Sequence, residues 1–326
     1  MDRSAFPRRD LDSNSTMKGC RVHRFGPPEV ITFEDTPRPL PVEDEVLVRV
    51  KAAGVGPWDA WIRAGKSALP QPLPFTLGSD LSGTVEAVGP RATALEPGIE
   101  VFGVTNPRFT GAYAQYAVAS AGMLAKRPAR LGDVEAASVP VVAVTAQQAL
   151  FEQAGLAAGQ TVLIHGAGGN VGAYAVQLAG RAGLQVIATA GAPDLEAVRS
   201  LGAREVIDSR MARFEDAVRG VDAVIDLVGG EMQARSFAVL RPGGILVSAV
   251  SQPDQAVAER HGVRALFFLV DVTTARLAQI AALIDAGELT PVVGAVLPLA
   301  DARIGHEMLE GARPRPRGKI VLRVGQ

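Results

Sequence analysis

Cysteine is nearly absent: Cys20 is the only one in 326 residues. That excludes an internal disulfide and any zinc cluster built on several cysteines. Histidine is scarce too, with four residues at 23, 165, 261 and 306, and none has a partner pattern around it in the sequence. Neither sign of charge prevails, since 33 Lys plus Arg face 34 Asp plus Glu for a net −1. This balance implies no basic face for nucleic acid. Apolar runs such as 265–270 fall well short of the ~20 residues needed to cross a bilayer, so no membrane span is expected. Residues 1–16 are polar, carry Arg3, Arg8 and Arg9, and lack the apolar stretch of a secretory signal. They read as a disordered extension, with the folded part starting at Met17. Without a signal peptide the Asn14-Ser15-Thr16 sequon carries no weight. A soluble, cytoplasmic protein is expected.

What the chain has in quantity is apolar residues, 48 %, and glycine, 35 residues. At about 150 residues per domain, the length suggests two domains. The most informative stretch is Thr161-Val-Leu-Ile-His-Gly-Ala-Gly-Gly-Asn-Val-Gly172. Val162, Leu163 and Ile164 read as a buried parallel strand. The glycines after them make a tight turn, and 171–182 reads as a helix ended by Gly183. Free N–H groups at such a helix start can hold a phosphate. The spacing Gly166-x-x-Gly169-x-x-Gly172 differs from the usual G-x-G-x-x-G, but strand before and helix after favour a dinucleotide site.

The texture divides accordingly. From Lys18 to about Arg130 the chain reads as short strands and turns, among them Glu45–Ala52, 83–88 and 99–104. In the first of these, Val46, Val48 and Val50 share one face. From Val141, strands at 161–165, 185–189, 204–207, 222–227 and 245–248 alternate with helices at 194–201, 212–218 and 231–240. That alternation predicts an α/β, doubly wound parallel sheet. A helix at 274–286 and the segment 318–324 return to the first texture.

With these residues in view, the chain resembles the medium-chain dehydrogenase/reductase superfamily, and within it the zinc-free quinone oxidoreductase (zeta-crystallin-like) branch. Four signatures carry the resemblance, which spans Met17 to Val324: Ala53-Gly-Val-Gly-Pro-Trp-Asp59 with Arg63 and Gly65; Leu77-Gly-Ser-Asp-Leu-Ser-Gly83; Val141–Ala146; and Gly318-Lys-Ile-Val-Leu322. It implies a GroES-like β-rich catalytic domain, 17–140 and 273–326, around a Rossmann domain, 141–272. It also implies a homodimer paired through the nucleotide domains.

The metal positions of the zinc-dependent members fall at Gly56, Ser79 and Val141. Catalytic zinc takes three protein ligands of the Cys, His or carboxylate type; Gly and Val offer none and Ser is a poor one. No metal is therefore expected, and Asp80 reads as a structurally paired carboxylate. Without a Lewis acid, exchange between plain alcohols and ketones is hard. Hydride delivery to a quinone or an α,β-unsaturated carbonyl is easier, because the charge delocalises.

For the cofactor, the second parallel strand ends in Thr189-Ala190-Gly191, with no acid to bind a ribose 2′-hydroxyl. The small residues leave room for a 2′-phosphate, so NADPH is expected. The resemblance places a lysine at or near Asp194 and a tyrosine at Ser209, neither of which this chain has; Arg210 is the expected phosphate clamp. The expected cofactor-binding residues are Thr145, Gly166, Gly169, Asn170, Val171, Gly172, Ala190, Gly191, Arg210, Val228, Gly229 and Ser251. Thr145 has a second reading as a helix N-cap. Trp58 and Trp61 read as walls of a flat, apolar substrate pocket, or as packing between domains, with Tyr116 and Phe267 completing the pocket. His165 reads as structural. The expected activity is NADPH-dependent reduction of a quinone or activated alkene, a small-molecule substrate. The alternatives are an enoyl reductase in a biosynthetic pathway and a nucleotide-binding protein of regulatory or structural duty with little catalysis.

Overall fold

The computed structural model describes residues 15–67 and 69–325. Its centre is a six-stranded, all-parallel sheet. The strand order is Glu205–Asp208, Gln185–Ala190, Thr161–Ile164, Val221–Asp226, Leu240–Ser248 and Arg264–Phe267. Val162, Leu163 and Ile164 are fully buried in the middle of it, as parallel strands covered on both faces require. The winding reverses beside this central strand, so the crevice for a ligand opens at the carboxyl ends of the strands there. The glycine turn sits at that point.

The second half is a seven-stranded sheet organised by the long strand Glu45–Val55, which pairs with Asp80–Val88, Tyr116–Ser120 and Lys319–Arg323. Val46, Val48 and Val50 face one core together. The last two strands, Val293–Pro298 and Lys319–Arg323, come from the far end of the chain and pair with each other. A three-stranded sheet of Ile31–Pro37, Thr16–Val22 and Phe75–Thr76 covers one side.

Two expectations need correcting. The extension does not run to residue 16: Thr16 opens the first strand opposite Pro37, and the carbonyl of Ser15 accepts from Arg38 N. The rest of the predicted extension, 1–14, lies outside the described residues. The helix expected at 231–240 is α-helical only over Gly230–Ser236, tightens to a 3₁₀ turn at Phe237–Val239, and is strand by Leu240. Phe237 and Val239 are buried, and Pro242 just beyond could not continue a helix. Among the described residues no helix is long and apolar enough to cross a membrane.

Candidate active site

The glycine turn is shaped by close contacts as much as by flexibility. Gly166 has φ +72°, a left-handed conformation that glycine adopts without strain. A Cβ on Gly172 would lie 2.3 Å from the Gly166 carbonyl oxygen and 2.6 Å from Ala167 Cα. Helix Asn170–Arg181 could not then pack against the turn. Gly169 is its N-cap residue, and the Gly169 carbonyl accepts the first helical bond, from Ala173 N. The N–H groups of Asn170, Val171 and Gly172 are left for a ligand.

Residues from neighbouring strand ends form the rim. Asp226 ends its strand fully buried, and its carboxylate accepts from Val228 N at 3.0 Å, Gly229 N at 2.8 Å, Gln233 Nε2 at 2.9 Å and Ser248 Oγ at 2.9 Å. Gln233 also donates to Ser251 Oγ, so Val228, Gly229 and Ser251 are held as one unit. Asp226 was missed in the sequence, although an acid just ahead of Gly229-Gly230 at a strand end is a visible signal. On the other side, Ser209 donates from N and Oγ to the Ala190 carbonyl, which brings exposed Arg210 next to Ala190 and Gly191.

Two further groups were not anticipated in their roles. The Asp194 carboxylate folds over the turn, 2.6 Å from where a Gly168 Cβ would be. Arg317, from the other half of the molecule, approaches it with Nε 3.5 Å from Asp194 Oδ1. Arg317 Nε and Nη2 are buried and make no hydrogen bond. Arg317 lines one small cavity together with Gly168, Gly169 and Asn170. The donor set of helix N–H groups plus an unsatisfied guanidinium fits the phosphates of a dinucleotide.

The positions of the missing metal ligands converge in space. The Trp58 ring lies against Gly56, where a Cβ would come within 2.3 Å of it. Its Nε1–H donates to Ser79 Oγ at 2.9 Å. Asp80, next in the chain, is fully buried; its Oδ1 accepts from Val141 N at 3.1 Å and its Oδ2 from Lys319 Nζ at 2.8 Å. The Lys319 ammonium also lies 4.3 Å from the Trp58 ring centroid. Burial pushes the Asp80 carboxyl up, and Lys319 opposes that push. Among the described residues no group of three His, Cys, Asp or Glu side chains could hold a metal ion.

Nearby, Asp59 is fully buried, and its Oδ2 accepts from Gly56 N at 2.8 Å and Tyr113 OH at 3.0 Å. Its Oδ1 has no partner, and desolvation pushes its pKa up to about 7.

The remaining candidates divide. Thr145 lies inside helix Pro140–Gln147, buried, with Oγ1 donating to the Val141 carbonyl at 2.7 Å; it is not an N-cap. Phe267 ends the last parallel strand, half-buried beside Ser248. Trp61 points outward, 52 % exposed, because helix Pro57–Arg63 buries Ile62 and Arg63 instead. Tyr116 lies in a separate groove with Arg49, Lys51 and Arg323, its ring covered by Arg38 at 3.8 Å. Neither joins Trp58 in a common pocket: the helical turn carries Trp61 away, and strand pairing with Arg49 carries Tyr116 to the groove. His165 is buried between Thr189 Oγ1 and Ser236 Oγ, and desolvation lowers its pKa to about 4, as suits a structural histidine.

Two family models match the chain: an alcohol dehydrogenase GroES-like domain over residues 42–129 and a zinc-binding dehydrogenase over residues 201–322. The second stretch contains none of the positions 56, 79 and 141. Human quinone oxidoreductase is 33 % identical over 325 residues, covering 94 % of this chain and 97 % of that protein. The structure of a quinone oxidoreductase from Coxiella burnetii superposes with a TM-score of 0.89 at 33 % identity, over 95 % of this chain and all of that one. A mycobacterial protein solved with NADPH gives a TM-score of 0.84 at 32 % identity, over 94 % of this chain and 100 % of that one.

Proposed function

The chain is an oxidoreductase that belongs to the quinone oxidoreductase branch of the medium-chain dehydrogenase/reductase superfamily, and from that premise we propose a zinc-independent, NADPH-dependent reductase of quinones or α,β-unsaturated carbonyls. The observation that carries this reading is the state of the three metal-ligand positions. Gly56 and Val141 have no donor side chain, and the Ser79 hydroxyl is engaged by the Trp58 indole. An acceptor therefore has to spread the charge it receives within itself, as quinones and enones do, rather than borrow a Lewis acid.

The nicotinamide dinucleotide, when bound, supplies a hydride, is itself oxidised, and reduces the acceptor by two electrons. The chain binds and orients it. The N–H groups at the start of helix Asn170–Arg181 and the Arg317 guanidinium would hold the phosphates, and the Asp226-held loop at Val228–Gly229 would border the crevice. Ala190 and Gly191 leave room for a 2′-phosphate, with Arg210 alongside. Asp194 opposes an added phosphate, and its pairing with Arg317 offsets that opposition. The mycobacterial relative solved with NADPH lends support to this form. The final proton is assigned to water, because the Thr145 hydroxyl and the Trp58 N–H already donate within the protein.

The test is NADPH and NADH oxidation over a panel of quinones, enones, enoyl thioesters and simple ketones, with and without a metal chelator. Turnover of quinones or enones, faster with NADPH and indifferent to the chelator, is expected. Turnover confined to enoyl thioesters would move the assignment to a biosynthetic enoyl reductase. Tight dinucleotide binding with no turnover on any acceptor would leave a regulatory binding protein. We further infer a homodimer joined along strand Arg264–Phe267, which ends the parallel sheet and is followed by the 72 %-exposed Leu269; light scattering at the monomer mass would refute it.

A further inference from the structure

We propose that Trp58 is the residue that sets acceptor size, and that Lys319 is its positioning residue. This rests on the reductase reading and adds what that reading leaves open, namely which acceptors enter.

The indole is fixed by four different contacts. Gly56 gives up its side chain to it: a Cβ there would lie 2.3–2.5 Å from three ring atoms, Cζ2, Cη2 and Cε2. Ser79 accepts its N–H at 2.9 Å. The Lys319 ammonium stands 4.3 Å from the ring centroid, and the edge-on Phe109 ring is 6.4 Å away, centroid to centroid. The ammonium is itself held by Asp80 at 2.8 Å, and both charges are almost wholly shielded from water. Trp58 packs against the cores of both halves of the molecule, so it stands where the two meet.

Two consequences follow. The only polar atom of the indole is spent on Ser79, so this wall offers an acceptor no hydrogen bond, only apolar surface. The ring also cannot swing aside cheaply, because moving it breaks the Ser79 bond and uncovers the buried Lys319–Asp80 pair. A rigid bicyclic wall selects by size. It admits single-ring or short acceptors and turns away fused polycyclic ones. Gly56 and Trp58 are thus one device, in which the missing side chain at 56 makes room for the large one at 58.

The test compares kcat/KM for one-ring, two-ring and three-ring quinones in the wild type and in Trp58→Val. The three-ring to one-ring ratio should rise about 10-fold or more, mostly through KM, which is the scale of pocket-size discrimination. A ratio unchanged within about twofold would overturn the role of Trp58. Removing both buried charges, with Lys319→Met plus Asp80→Asn, should move the ratio the same way, and Lys319→Arg should hold it near wild type. A double variant with the wild-type ratio would overturn the positioning role. In a Trp61→Phe background Trp58 is the only tryptophan, since the chain has two. Its emission should shift in the double variant and should be quenched by 1-naphthol, a flat ligand that accepts no hydride. The quenching titration reads the pocket even if no quinone is reduced. Failed turnover with quenching would therefore strike the reductase reading alone, and absence of quenching would strike this proposal.

Discussion

The two halves of the molecule bury polar groups in different ways. In the nucleotide-binding half the buried carboxylate Asp226 is satisfied by backbone N–H groups and neutral side chains, most of them a few residues away. His165 there sits between two hydroxyls. In the catalytic half the buried cations reach their partners over long separations: Lys319 pairs with Asp80 across 239 residues, and Arg63 contacts the neutral His306 ring and the partly exposed Glu310 across 243 and 247. The first half prepares a place for a charged ligand with backbone dipoles, so its own core stays nearly neutral. The second keeps a buried cation, Lys319, between Asp80 and the Trp58 ring.

The sharpest way to break this contrast is Lys319→Met. It leaves Asp80 buried and unpaired and should cost about 3–5 kcal/mol of stability, read by denaturant unfolding. Adding Asp80→Leu should restore much of the loss; no recovery would mean that the pair is not what stabilises this core.

In the nucleotide half the vulnerable feature is backbone proximity. Gly172→Ala puts a methyl on the Gly166 carbonyl and should cost on the order of 1–3 kcal/mol, with a parallel loss of dinucleotide affinity in calorimetry. Unchanged affinity would show that the turn relaxes.

Acidity separates the halves further. The Asp59 pKa is raised by burial to about 7, so the folded state holds this proton more tightly than the unfolded chain does. Its contribution to stability is complete below the unfolded carboxyl value and is lost as pH climbs through 7. His165 behaves in the opposite sense. Burial lowers its pKa to about 4, and its contribution is lost as pH falls from the ordinary histidine range through that value. Asp59→Asn should therefore gain melting temperature over wild type between pH 5 and pH 8, on the order of 3 °C. Parallel melting curves across that range would contradict the buried, unpaired Oδ1.

The smallest effect is expected at the rim. Arg210→Ala should weaken NADPH binding roughly 10-fold, one charge-assisted hydrogen bond, and leave NADH untouched. Equal losses for both would make Arg210 an ordinary surface arginine.

The same contrast explains what was legible in the sequence. The glycine turn, its strand and its helix lie within one short stretch, and each residue's reason for being there is a neighbour. The alternation of strands and helices was readable for the same cause. Lys319 could not be connected with Asp80 or Trp58 by any pattern, because it is the antiparallel pairing of strand Glu45–Val55 with both Lys319–Arg323 and Asp80–Val88 that brings them together. Trp61 and Tyr116 were misplaced for a related reason. Residue type suggested a pocket, but helix phase and strand register decided where each ring points. Arg317 escaped notice because its partner, Asp194, belongs to the other half.

The Lys319–Asp80 pair also has a temporal side. Asp80 leaves the ribosome early and its counter-charge very late, so the catalytic half, though begun first, cannot be finished until its last strand is synthesised. The parallel sheet has every one of its strands by Phe267 and is free to consolidate while that wait continues. Order of synthesis and order of completion are thus reversed.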